Sequence, residues 1–211
     1  MNLKINNLYN YYLIACLGII LSLSSLQTAN ASSEDAANYI NDLASRVVSI
    51  VKKTNIDDKS KESQLNSIFL REVDTQWIGR FSMGRYWRSI TSQQKAQFLP
   101  LYSKYLAGLY VPNFRKFTGN IIKVIHVEEV RPKEYLVTTK LTDELNTMDI
   151  RIDYHILQKD TGLENFIIFD IIAEGVSLIT TQRADLNSIM SQGGFDSLIK
   201  ILVQKTSNIG K

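Results

Sequence analysis

The chain has little of several residue types that would define particular classes of protein. Its 211 residues include one cysteine, two histidines, three prolines and ten glycines. These counts exclude a disulfide framework, a zinc site of recognisable ligand spacing and a collagen-like or low-complexity chain. A net charge of +3, from 24 basic and 21 acidic residues, is too small for a dedicated nucleic-acid surface. What remains, with 45% hydrophobic residues, is an ordinary folded domain that can bury roughly 70% of its unfolded surface.

The longest apolar run lies near the N-terminus, over residues 13–26, and is followed by Thr28-Ala29-Asn30-Ala31. This order is typical of a secretory signal peptide with a small-x-small cleavage site. The run contains three serines and is shorter than the about 20 apolar residues of a membrane-spanning helix. We therefore predict a cleaved signal peptide over 1–31, cut after Ala31, and a single domain over 32–211.

One alternative for this segment is a lipoprotein signal, because Leu13-Ile14-Ala15-Cys16 is similar to the box that precedes a lipidated cysteine. Most of the apolar run lies after Cys16, however, whereas a lipoprotein box ends the run. Cleavage after Ala31 would leave no cysteine in the mature chain and would exclude thiol chemistry.

The residues that follow have the apolar spacing of helices. Between 34 and 53 an apolar residue recurs every three or four positions, which predicts an amphipathic helix. A second helix is expected from about Ser60 and a shorter one before Gly84. A long helix is expected from Thr91, which stands at capping-box spacing before Gln94. Pro100 interrupts this long helix, and Pro112 should kink or end it.

After Gly119 the apolar period changes to two, and four strands are predicted, over 121–130, 134–145, 148–159 and 163–173. The connections are too short for parallel crossovers, so the strands should form an antiparallel meander. Two more helices are expected, over 178–190 and 195–205, separated by Gly193-Gly194. The predicted fold class is α+β, with a four-stranded antiparallel sheet wrapped by N-terminal and C-terminal helices.

The third and fourth predicted strands differ in their faces. The third has one apolar and one polar face, which predicts that one face is buried and the other is exposed to solvent. The fourth is apolar on both faces, so we expect other parts of the fold to cover each face. In the third strand Met148, Ile150, Ile152, Tyr154 and Ile156 oppose Asp149, Arg151, Asp153, His155 and Lys159; in the fourth Phe166, Ile168 and Ile172 oppose Ile167, Phe169 and Ile171.

No residue pattern points to catalysis or to a metal. His126 and His155 are expected to be solvent-facing strand residues, and no G-x-S-x-G motif is present. Asp170 and Glu174 would be about 13 Å apart on an extended strand, too far for a glycosidase pair. We expect Asp170 to meet a cationic or backbone donor at the strand end and Glu174 to pair with an arginine such as Arg183.

The long helix and the second strand carry a surplus of apolar and aromatic residues. Periodicity shows which faces these residues share, and it is compatible both with a filled core and with a cavity. The residues are Tyr102, Tyr105, Leu106, Leu109 and Tyr110 on the helix, and Tyr135, Val137, Thr139 and Leu141 on the strand.

An ordered set of residues is similar to the motifs of one known protein family. They are FIIFDIIAEGVSL at 166–178, Arg183, GFDSLI at 194–199 and Leu202, preceded by Val73-Asp74, GRYWR at 84–88, Thr91, Gln94, Phe98 and Tyr110. In this order they resemble the MlaC-type (toluene-tolerance) periplasmic phospholipid-binding proteins. The resemblance covers nearly all of the chain after residue 31.

The resemblance implies a periplasmic carrier without cofactor, metal or catalytic residues, on a cone-like fold similar to nuclear transport factor two. Its partners would be glycerophospholipid, an outer-membrane lipoprotein complex and an inner-membrane ABC transporter with an MCE-domain protein. The carrier would help to maintain outer-membrane lipid asymmetry. Its cavity is expected at the upper end of the roughly 300 to 1,000 Å³ range of ligand sites, or above it. The residues expected to line it are Phe81, Tyr105, Leu109, Tyr110, Val137, Ile152, Tyr154, Ile171 and Val176.

Three alternatives stay open. An enzyme on the same cone-like fold could use Asp170 or Tyr154 as acid or base on a small apolar substrate. The chain could instead be a non-lipid interaction module of the envelope. Arg80, Arg85 and Arg88 could contact lipid phosphate or an acidic partner, or form a solvated basic face.

Overall fold

The computed structural model describes residues 32–114, 120–143, 149–160 and 166–207. The predicted signal peptide and the predicted strand ends at 144–145, 148 and 163–165 lie outside these residues. Six helices and five strands are present in the described part. They are α1 Ser33–Lys52, α2 Asp58–Glu72, α3 Thr75–Met83, α4 Tyr86–Ser89, α5 Ser92–Phe114, β1 Asn120–Arg131, β2 Glu134–Asp143, β3 Asp149–Gln158, β4 Phe166–Ala173, β5 Val176–Ser177 and α6 Leu178–Ser207.

Short polar side chains set where the helices begin. Ser32 and Asp35 form a reciprocal capping box at α1, because each side chain accepts the other residue's backbone N–H. Asp57 and Asp74 cap α2 and α3 in the same N-terminal position. The predicted pairing of Thr91 with Gln94 is confirmed at the start of α5, with hydrogen bonds of 2.9 and 3.2 Å.

The two long helices correct the predicted boundaries. α5 continues through Pro100, so the expected interruption there is wrong, and its described part extends past Pro112 to Phe114. The two predicted C-terminal helices follow one another directly as α6, with a break at Gly194, whose φ of 67° and ψ of −165° are not helical. None of the helices in the described ranges is both long enough and apolar enough to cross a bilayer.

The sheet has the strand order β1-β2-β3-β4-β5 with antiparallel neighbours, which confirms the predicted meander. β5 was not predicted, because two residues are too few to show a period. Glu174 and Gly175 have φ angles of 48° and 79° and reverse the chain, so that Ala173 pairs with Val176. Glu174 and Gly175 are therefore the turn of a hairpin that joins β4 and β5.

A β-bulge in β4 decides which of its residues face the helices. His155 pairs with Asp170, but the next residue, Ile156, pairs with Ile168, so Phe169 is an extra residue. The prediction that Ile171 and Ile168 lie on opposite faces is therefore wrong. The bulge places Ile171 and Ala173 on the same face as Ile168, because it shifts the alternation by one residue.

The face of β3 that was predicted to be exposed to solvent is only partly exposed. Asp153 is 7% exposed and accepts a hydrogen bond of 3.0 Å from the guanidinium of Arg151. His126 is exposed as expected, but His155 is half-buried, with its ring 4.2 Å from that of Phe169. On the opposite side, Ile150 at the strand end is 37% exposed.

The helices cover the other face of this sheet. α1 packs on β1 and β2, α2 packs on α5, and α3 and α6 pack on each other and on α5. The free edge of β4 is protected at Ile168, whose carbonyl accepts the backbone N–H of Asp74 at 2.8 Å. The space between α1, α2 and the sheet is where the candidate site lies.

Candidate functional site

An apolar cavity of about 130 Å³ lies between the first two helices and the inner face of the sheet. The strand period and the β4 bulge bring its floor together, and the apolar stripe of α1 forms its roof. It is smaller than the volume expected from the sequence. Its walls are Ile40, Leu43, Ala44 and Val47 of α1, Ile68, Phe69 and Glu72 of α2, Val73, Phe114 of α5, and Ile122, Leu141, Ile152, Tyr154, Ile168, Ile171 and Ala173 of the sheet.

Glu72 is the one charged residue in this lining, and it is 2% exposed. Its carboxylate accepts hydrogen bonds of 2.9 Å from Tyr39 and Arg46 and of 3.0 Å from Arg71. Burial opposes the charge, but these hydrogen bonds outweigh it and lower the pKa of Glu72 below its ordinary value. The charge is therefore neutralised locally, and the rest of the cavity stays apolar.

Tyr154 brings the second polar group to the cavity. Tyr154 is of intermediate exposure and lines the cavity. Burial raises the pKa of its hydroxyl to about 12, and a hydrogen bond with Thr139 acts in the opposite direction. The hydroxyl is therefore neutral across the physiological range.

A half-open groove of about 280 Å³ lies next to the cavity and continues to the surface. The two share four wall residues, Phe69, Phe114, Ile171 and Ala173. The ring of Phe69 lies 6.5 Å from that of Tyr110 and 6.4 Å from that of Phe114. At the outer end Val176 is 64% exposed. Cavity and groove together form an apolar path from the interior to the β4–β5 hairpin.

The structure brings five of the nine predicted lining residues to this path. Ile152, Tyr154 and Ile171 line the cavity, and Ile171, Tyr110 and Val176 line the groove. Their role in binding remains a prediction.

The other four predicted residues lie elsewhere. Phe81 and Leu109 are exposed outside this path, and Tyr105 lines a separate recess with Gln182, Asp185 and Lys205. Val137 is on the cavity side of β2 but is fully buried under other side chains. A position on the cavity side of the sheet is therefore not sufficient for a residue to line the cavity.

Sequence reasoning assigned the α1 stripe only to helix formation. Ile40, Leu43 and Val47 stood out by their period, but nothing local distinguished a helix that roofs a cavity from one that fills a core. Phe69, Phe114 and Glu72 were missed altogether.

The carboxylates considered for acid or base chemistry have structural partners. Asp170 accepts hydrogen bonds from the Ser177 hydroxyl at 2.7 Å and the Ile179 backbone N–H at 3.1 Å, so it caps the start of α6. This confirms the expected backbone donor. Glu174 accepts the backbone N–H of Arg151, whereas Arg183 lies over the ring of Phe81, so the expected Glu174–Arg183 pair is wrong. No cluster of potential metal ligands occurs among the residues that the structure covers.

Comparison with known proteins places this geometry in a family. A solved structure of a phospholipid-binding protein from Ralstonia solanacearum, determined in complex with a phospholipid, matches with a TM-score of 0.69. The match has 16% sequence identity and covers 83% of this chain and 99% of that one, which shows a shared fold. The family model described as MlaC protein matches residues 41–204. The chain therefore belongs to the MlaC protein family.

Proposed function

We propose that this protein is a periplasmic carrier that binds the acyl chains of a glycerophospholipid along the cavity and groove. It would shuttle lipid between an outer-membrane lipoprotein complex and an inner-membrane ABC transporter with an MCE-domain protein, and so maintain outer-membrane lipid asymmetry. Membership of the MlaC family and the likeness to a structure that contains a phospholipid support the proposal. The observation that carries it is the apolar cavity and the adjoining apolar groove, which share a wall and together reach from the interior to the surface.

The free energy of exposing an acyl chain to water explains why such a path is needed. At about 0.8 kcal/mol per CH₂, a sixteen-carbon chain in water costs roughly 13 kcal/mol. An apolar lining whose one carboxylate already has three donors offsets this cost without desolvating an unpaired charge. A carrier of this kind requires no catalytic group.

The size of the cavity adds a requirement to this proposal. A cavity of about 130 Å³ is close to the size that holds a molecule such as benzene, and it is too small for an acyl chain. Lipid binding must therefore enlarge it. We expect the shared wall at Phe69 and Phe114 to move, because displacing these rings would join the cavity to the groove.

An enzyme on this fold is the competing candidate, and no geometric observation favours it. The Asp170 carboxylate caps the start of α6. The one charged residue that lines the cavity with Tyr154 is Glu72, whose carboxylate is held by three donors. We propose that the protein acts by binding alone.

The decisive experiment is native mass spectrometry of the mature protein, purified without detergent from a bacterial periplasm, followed by organic extraction. We expect co-purified phospholipid at close to one molecule per chain. A protein that is bare after purification and stays bare after incubation with phospholipid vesicles would contradict the carrier function.

The lining itself is tested by filling the cavity. Ile152→Trp adds an indole where an acyl chain would lie, so we expect phospholipid occupancy to fall at least tenfold while the far-UV circular dichroism spectrum is retained. Ile125→Trp is the matched control, because Ile125 lies on β1 and is 59% exposed. Equal occupancy in the two folded variants would show that Ile152 does not line the lipid site.

A further inference from the structure

One long segment of the chain contains no acidic residue. Between Asp74 and Glu128 there is neither aspartate nor glutamate, although the whole chain has nearly balanced charge, with 24 basic and 21 acidic residues. The segment includes α3, α4 and α5. Its basic residues are Arg80, Arg85, Arg88, Lys95, Lys104, Arg115, Lys116 and Lys123.

The cations at the start of this segment form no ion pair with another described residue. Arg80, Arg85 and Arg88 are exposed, and none of them has a carboxylate partner within the described ranges. By contrast, Arg46, Arg71 and Arg151 elsewhere in the fold each contact an acidic side chain. Ion pairing among the described residues therefore does not account for these three arginines.

Aromatic rings support several of these cations instead. The Arg85 guanidinium lies 4.9 Å from the centre of the Tyr86 ring, and the Lys95 ammonium lies 5.0 Å from that of Trp87. Arg183 of α6 joins the same surface, 5.2 Å from the ring of Phe81, which is 40% exposed. We define the basic aromatic face as Arg80, Phe81, Arg85, Tyr86, Trp87, Arg88, Lys95 and Arg183.

A recess of about 350 Å³ in this face is lined by Arg85 and Arg183 together with Ser82, Asn187 and three further residues, none of them acidic. Ser82 is 1% exposed, and its hydroxyl lies against Tyr102, whose own hydroxyl donates to Gln182 at 3.2 Å. Gly84, at φ 52°, lies directly against Arg183, and a Cβ there would come within 3.4 Å of the guanidinium. Two guanidinium groups and an amide offer donors to the oxygens of a phosphate.

We propose that the basic aromatic face docks the protein on the surface of an anionic phospholipid bilayer. Clustered lysine and arginine side chains are attracted to anionic headgroups, and aromatic rings beside them are suited to the boundary between headgroups and acyl chains. None of the face residues lines the cavity or the groove. Docking on a membrane is thus a second binding activity, separate from holding a lipid.

Co-sedimentation with vesicles tests this inference. The full-length mature protein should bind vesicles that contain phosphatidylglycerol at 50 mM salt, bind them weakly at 500 mM salt, and not bind phosphatidylcholine vesicles. Arg85→Gln with Arg88→Gln should weaken the binding about 25-fold, because each cation near an anionic surface contributes about fivefold. Arg85→Lys with Arg88→Lys should retain most of it.

A matched pair of neutralised lysines separates local from general charge effects. Lys59→Gln with Lys200→Gln removes the same charge from exposed positions outside the face and should leave binding within about twofold of the unmodified protein. Equal losses in the two double variants would overturn the proposal. Failure of the unmodified protein to bind phosphatidylglycerol vesicles at low salt would also overturn it, and would point to an acidic protein surface as the occupant.

Two cross-measurements distinguish this inference from the carrier proposal. The arginine double variant should still co-purify with phospholipid, since its cavity is intact, and Ile152→Trp should still sediment with anionic vesicles. If Ile152→Trp lost vesicle binding, the sedimentation would report lipid uptake by the cavity and docking through the face would be wrong.

Discussion

Glu72 has an effect on the fold that its position at the end of α2 does not suggest. It is buried beside an apolar cavity, and it joins Tyr39 and Arg46 of α1 to the end of α2. A carboxylate whose pKa is lowered on folding stabilises the protein above its unfolded pKa and loses that contribution as the pH falls through the folded value. Lowering the pH through the folded pKa of Glu72 should therefore weaken the contact between α1 and α2, the two helices that cover the cavity.

Replacing Glu72 with Gln should lower the free energy of unfolding at pH 7 by about 2 kcal/mol, because hydrogen bonds to a buried charge are lost. This difference should persist down to about pH 4.5, the ordinary pKa of a glutamate, and should shrink below it as Glu72 takes up a proton. Urea denaturation from pH 3 to 8 measures both effects. Glu62→Gln on the same helix is the control, and a difference between wild type and Glu72→Gln that does not change with pH would contradict this account.

At the scale of secondary-structure elements, backbone conformation directs the chain at two places. The bulge at Phe169 turns Ile171 toward the cavity, and Gly194 breaks α6 into two halves. The φ and ψ angles of Gly194 lie in a region that is essentially restricted to glycine. A Cβ at this position would meet no atom within 4 Å, so the backbone alone requires the glycine.

Gly194→Ala should therefore lower the free energy of unfolding by about 2 kcal/mol through backbone strain without a steric clash. Gly194→Asn should cost about as much, because asparagine tolerates the left-handed helical region but not this one. Urea denaturation of both variants, with the exposed Ser191→Ala as control, measures the cost. A cost for Gly194→Ala no greater than for Ser191→Ala would show that the two halves of α6 can rearrange freely.

At the scale of the whole molecule, the proposed carrier should be more stable with bound lipid than without it. A ligand that binds only the folded protein raises its stability, by about 2.7 kcal/mol at a free concentration of 100 times Kd. Phospholipid should therefore raise the Tm of delipidated protein by about 5 °C or more.

Differential scanning calorimetry with and without short-chain phospholipid measures this shift. Ile152→Trp should show a smaller shift than Ile125→Trp, since only the former fills the cavity. A rise in Tm of equal size in both variants would indicate lipid binding at the surface rather than in the interior.

Much of the fold followed from local patterns. The helical stripe of α1, the capping pair at Thr91 and Gln94, and the change of period after Gly119 each predicted an element that the structure contains. Short connections then required an antiparallel meander, because adjacent parallel strands need long crossovers. The ordered motifs also identified the family that the comparison confirms.

The sequence by itself therefore determined the elements, their order and the faces that are apolar, since these depend on residues close together in the chain. Tertiary structure alone decided which apolar residues line a space. Val137 and Ile152 lie on neighbouring strands of one sheet face, yet Val137 is covered and Ile152 borders the cavity. Whether a void remains depends on the distance between the helices and the sheet, and this distance is set by the summed volumes of side chains from distant segments.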